Sequence, residues 1–211
     1  MAIEVNEIKV WDIAVRAGHW ALVVFFAIAY LSGEIELETI HAWAGYAILG
    51  IVLFRIVWGF VGTRHARFID FVFGWTQTMA YARSLLTREP KHYLGHNPLG
   101  GWMIVALLAA LVLVSWSGLE LYAVEGKGPL AAQTVTVVKP ALANDRDEHG
   151  KNEDESLWED AHELLAHLSL LLVFLHIAGA LGSSLIHREN LVRAMITGRK
   201  RPKTAKRGRA P

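Results

Sequence analysis

The chain has 211 residues, of which 53% are hydrophobic, and a formal net charge of +1. Its mean hydropathy of +0.30 and several long uncharged runs are too apolar for an ordinary soluble domain and point to an integral membrane protein. There is no cysteine, which excludes disulfides, zinc or iron–sulfur ligation by thiolates, and covalent haem attachment through Cys-x-x-Cys-His.

The first twenty residues carry acidic groups and no small-residue cleavage pattern ahead of the apolar run, which predicts a cytoplasmic lead-in and no removable signal peptide. The first span is expected at about 11–33, with Trp11, Trp20 and Tyr30 suited to the interfacial belts. His19 lies near its start, and Arg16 lies one turn earlier on the same face. A short acidic loop with Glu34, Glu36 and Glu38 follows.

The second span is expected at about 39–61. His41 stands at its start, and one turn on, Gly45 leaves room for a ring. Arg55 returns to about the same face near the far end, where a buried guanidinium needs an anionic partner. A haem propionate would serve, and so would snorkelling to lipid phosphates.

Residues 62–97 form a basic connection containing Phe68, Phe71, Val72, Trp75 and Met79 at helical spacing, which predicts an amphipathic helix on the membrane surface. His92 and His96 have a metal-like i, i+4 spacing, but Gly95 and Pro98 argue for a turn there. The third span, about 99–121, has no histidine; Ser115, Ser117 and Gly118 suit close helix packing, and the helix is expected to ligate nothing. Residues 122–156 form an acidic connection whose early part, 128–144, is expected to be partly disordered.

The fourth span, about 157–187, organises the chain. His162 and His176 are 14 residues apart, which returns to within about 40° of one helix face over about 21 Å. Ala166, Ser169, Val173, Ala180 and Ser183 share that face and leave space for a large flat ligand, whereas His167 points away. Ionisable groups in a spanning segment default to a functional reading, and imidazole is a common iron ligand. The face suits one axial ligand for each of two non-covalent b-type haems; core histidines bonded to carbonyls are the bland alternative. The tail is basic, and residues 201–211 are expected to be disordered, with anionic lipid a simpler partner than nucleic acid.

Basic segments at both termini and between spans two and three place both termini in the cytoplasm and the acidic connections outside. Sorting the histidines by depth then pairs His41 with His162 near the outer surface and His19 with His176 near the inner one. His65, His92, His96, His149 and His187 fall in loops or at a membrane edge; His187 lies near the ligand face, where a propionate is one neighbour and solvent the expected one.

The chain resembles the bacterial cytochrome b561 family, which includes the b-type cytochrome subunits of nickel–iron hydrogenases. The likeness rests on R-A-G-H-W at 16–20, His41 followed by W-A-G, F-R-I-V-W at 54–58, G-H-N-P-L-G at 95–100 and the His162/His176 pair, and it covers about residues 8–200. It implies an all-α, four-helix transmembrane bundle at 1–200 in the bacterial inner membrane. It also implies two haems b on His19, His41, His162 and His176, and exchange of electrons with the quinone pool. Trp75 and Tyr93 offer a quinone contact or ordinary interfacial packing.

The acidic connection departs from compact family members and leaves several partners open. A soluble periplasmic cytochrome c is the main expectation, steered by opposite charge. A hydrogenase or other dehydrogenase subunit is the alternative. Superoxide oxidation ranks lower, because a negative surface repels the anion, and a non-redox anchor or transporter is the reading from another class.

Overall fold

The computed structural model describes residues 8–87, 93, 95–131 and 147–200. Among them the order is β1 (Ile8–Lys9), α1 (Ile13–Glu34), α2 (Glu38–Val61), α3 (Phe68–Phe71), α4 (Trp75–Leu86), α5 (Pro98–Val124), α6 (Asp147–His187), α7 (Leu191–Thr197) and β2 (Arg199–Lys200). Residue 92, most of 128–144 and the tail 201–211 lie outside the described residues, and so do the expectations placed on them.

Among the described residues four helices are long and apolar enough to cross a membrane: Ile13–Glu34, Glu38–Val61, Pro98–Val124 and Ser156–His187. Their outward faces carry large apolar side chains, such as Trp43 at 71% exposure and Leu185 at 80%. Water would penalise such surfaces heavily, whereas hydrocarbon does not. The fold is therefore an all-α four-helix transmembrane bundle.

Two differences from the sequence expectations stand out. The single amphipathic helix expected from Phe68 onward is two helices, α3 and α4, separated by extended backbone at Val72 and Gly74. The fourth helix begins at Asp147, inside the segment expected as loop.

The chain divides into two compact units. The first comprises residues 1–20, 55–104 and 176–211. Here the first and last described segments are tied together: β1 pairs antiparallel with β2, Ile8 opposite Lys200. The amides of Val10 and Trp11 both donate to the Gly198 carbonyl, at 2.8 and 3.1 Å. Gly198 has a φ of 76°, the left-handed conformation that a side chain disfavours. Val10, Trp11, Ala194 and Met195 form the apolar seam beneath this clasp. Asp12 caps α1 by accepting from the Val15 amide at 2.8 Å. Its other oxygen accepts from the Trp58 indole at 3.1 Å and from the Thr63 hydroxyl, which fixes the start of α1 to the end of α2.

The second unit comprises residues 21–54 and 105–175. The start of α2 and the end of α5 meet through Lys127, which lies 2.5 Å from Glu38 and 3.1 Å from Glu125. These pairs are half-exposed and contribute little stability. Packing does more: Ala44, Ile48, Val52, Leu108, Ala110 and Leu111 are buried.

Candidate functional site

In the second unit the side chains of His41 on α2 and His162 on α6 face each other, ring centroids 5.8 Å apart and planes at 82°. His41 Nδ1 lies 2.8 Å from the Ala29 carbonyl. A carbonyl only accepts, so Nδ1 carries the proton and Nε2 keeps a bare lone pair. His162 Nδ1 lies 3.0 Å from Ser117 Oγ and 3.1 Å from the Val114 carbonyl, and the same tautomer follows. Two glycines make the approach possible. A Cβ at Gly33 would stand 3.1 Å from His41 Nδ1, and one at Gly118 would stand 2.9 Å from His162 Cε1. Gly45, singled out as room for a ring, has open space where its Cβ would be.

In the first unit His19 on α1 and His176 on α6 lie with centroids 6.3 Å apart and planes at 53°. Trp20 packs edge-on against His19 at 5.3 Å. His19 Nδ1 is buried without a hydrogen-bond partner. Arg55 lies in the same unit, 5.5 Å from the Phe68 ring and 5.8 Å from that of Phe71, and its Nη1 is also buried without a partner. A polar nitrogen left in that state is costly unless something else binds it. Arg16, the other arginine singled out, donates through Nε to the Met195 carbonyl at 3.3 Å and through Nη2 to that of Ile196. It serves the C-terminal clasp.

Sequence reasoning missed three features. Ser117, in a helix expected to ligate nothing, bonds to His162. His96 lies in the loop before α5, as expected, but it is wedged between Trp11 and Phe71, at 4.4 and 5.0 Å, and its Nδ1 is buried without a partner. His187, for which solvent was the expected neighbour, is 8% exposed, and its Nε2 lies 3.4 Å from the Tyr81 hydroxyl.

The donor sets can be tested against a metal. Among the described residues no group of three or more His, Cys, Asp or Glu could hold an ion alone. Each facing pair offers two imidazoles and no more, too few for a bare cation but enough for the two axial positions of a macrocycle that brings its own equatorial nitrogens. The imidazoles of each pair face one another at 5.8 and 6.3 Å between centroids, and the unpartnered Arg55 nitrogen suits an acidic substituent. The residues fit haem b.

The family model "Prokaryotic cytochrome b561" matches residues 10–198. The chain belongs to the prokaryotic cytochrome b561 family. It is a membrane-embedded b-type cytochrome of bacterial type. A probable Ni/Fe-hydrogenase B-type cytochrome subunit of Azotobacter chroococcum mcd 1 is 31% identical, over 80% of this chain and 69% of the relative. A protein of the same description from Rhizobium leguminosarum bv. viciae is 27% identical, over 93% and 90%. A probable Ni/Fe-hydrogenase 1 B-type cytochrome subunit of Escherichia coli (strain K12) is 24% identical, over 90% and 88%. No solved structure matches. In this b561-family chain, haem b is the group that the histidine pairs are suited to hold.

Proposed function

We propose that this b561-family cytochrome binds two haems b, on His19 with His176 and on His41 with His162, and carries electrons between the quinone pool and a redox partner at the outer face. Two facing imidazole pairs, at 6.3 and 5.8 Å, carry the reading. Haem b held by two imidazoles supplies one-electron transfer and offers no open position for a substrate. The protein's part is to orient the rings, keep water out and neutralise charge. The Ala29 and Val114 carbonyls fix the His41 and His162 tautomers, Trp20 packs against His19, and Arg55 would hold a propionate, whereas Arg16 is taken up by the C-terminal clasp. The segregated charge supports cytoplasmic termini, with His41 and His162 towards the outside.

The names of the relatives support a nickel–iron hydrogenase or a similar dehydrogenase as the partner. The acidic residues Asp145, Asp147, Glu148, Glu153, Asp154 and Glu155 support a second reading, in which a basic soluble cytochrome c docks there by charge. One experiment addresses both. In membranes that hold the chain together with a nickel–iron hydrogenase, hydrogen gas should reduce the b-type bands and added quinone should reoxidise them. Cytochrome c exchange that slows steeply with salt would favour the second partner. Bands that respond to neither hydrogen, quinol nor cytochrome c would refute the proposal.

A further inference from the structure

The two histidine pairs are not equivalent, and the difference lies in what holds their second nitrogens. In the His41–His162 pair both Nδ1 atoms are within hydrogen-bond distance of oxygen: Ala29 O at 2.8 Å for His41, Val114 O at 3.1 Å and Ser117 Oγ at 3.0 Å for His162. Ser117 Oγ itself donates to the Val114 carbonyl at 3.0 Å. Its proton is therefore spent, and its lone pairs face the imidazole. Nδ1–H of His162 then has two acceptors, a carbonyl and a hydroxyl already polarised by donating to that carbonyl. Ser117 is 1% exposed, so water does not compete for these bonds. In the His19–His176 pair, His19 Nδ1 is buried with no acceptor.

An imidazole whose N–H donates strongly is a more basic ligand at its other nitrogen, and a more basic ligand favours the more highly charged, oxidised metal. We infer that Ser117, from the one long helix that lends no imidazole, is the positioning residue of the His41–His162 centre, and that it holds this centre at a lower potential than the His19–His176 centre. This rests on the reading of both pairs as haem ligands.

The test is a potentiometric titration of the purified full-length chain, with its components assigned by the His41→Ala variant, which should retain only the His19–His176 centre. In the parent protein the component lost in His41→Ala should have the lower potential. Ser117→Ala should raise that component so that its oxidised-to-reduced ratio at fixed potential changes at least threefold, about 28 mV at about 59 mV per tenfold. The other component should stay in place. Ser117→Thr, which keeps a hydroxyl, should restore the parent value. Loss of the haem from Ser117→Ala together with its retention at the parent potential in Ser117→Thr would support the same role. An unmoved or lowered component in Ser117→Ala, an equal shift in Ser117→Thr, loss of the haem from both variants, or the opposite order of potentials in the parent would overturn it. Retention of both haems in His41→Ala is a different failure, because it would remove the pair itself.

Discussion

Gly118 lies against the ring of His162, so close that a methyl group at 118 would stand 2.9 Å from Cε1 and 3.2 Å from Nδ1. The ring is held by the Val114 carbonyl and Ser117 and cannot yield without losing those bonds. Gly118→Ala should therefore displace His162 and lower occupancy of the His41–His162 centre about tenfold or more, the range seen when groups behind a metal ligand are disturbed. The other centre should stay full. Haem content per chain by pyridine haemochrome checks this, and two haems in the variant would show that the packing is looser than it looks.

Arg55 supplies a second prediction. Its Nη1 is buried and unpartnered, and its guanidinium lies against Phe68 and Phe71. If that nitrogen serves a propionate, Arg55→Leu should weaken retention of the haem on His19 and His176. The haem-free protein should keep its Tm or gain slightly, since a buried unpaired donor costs about 1–3 kcal/mol. An arginine that merely snorkels to lipid would leave haem retention unchanged. Haem loss to apomyoglobin and thermal unfolding of the haem-free protein separate the two cases.

His96 gives the clasped end of the first unit a pH dependence. Burial, then Lys200, Arg55, His176 and His65, push its imidazole down from 6.5 to about 3. Between those values the unfolded chain binds the proton and the folded one does not, so stability falls as the pH drops from 6.5 towards 3. His96→Gln, which cannot titrate, should flatten that part of the Tm profile and leave the region above pH 7 unchanged. An unaltered acid limb in the variant would place the sensitivity elsewhere.

Much of this arrangement was legible in the chain itself. Four apolar runs define the long helices, and the 14-residue interval between His162 and His176 puts two imidazoles on one helix face because 14 is nearly a whole number of turns. Depth, read from the segregation of charge, then leaves each of them one partner. What stayed hidden depends on contacts distant in sequence. Ser117 looks like any serine in an apolar helix, which bonds its own backbone; its second contact exists only because α6 brings His162 alongside. His96 reads as a turn residue because Gly95 and Pro98 flank it, and its burial is decided by Trp11 and Phe71. Arg16 shares a face with His19, yet the carbonyls at the end of α7 lie within its reach.

The central claim is that four imidazoles hold two haems b. The most direct measurement is haem stoichiometry and the reduced-minus-oxidised spectrum of the purified chain and of His19→Ala, His41→Ala, His162→Ala and His176→Ala. The account predicts two haems in the parent and one in each variant, with His41→Ala and His162→Ala keeping the same centre and His19→Ala and His176→Ala keeping the other. A colourless parent, or any of the four variants with both centres intact, would contradict it.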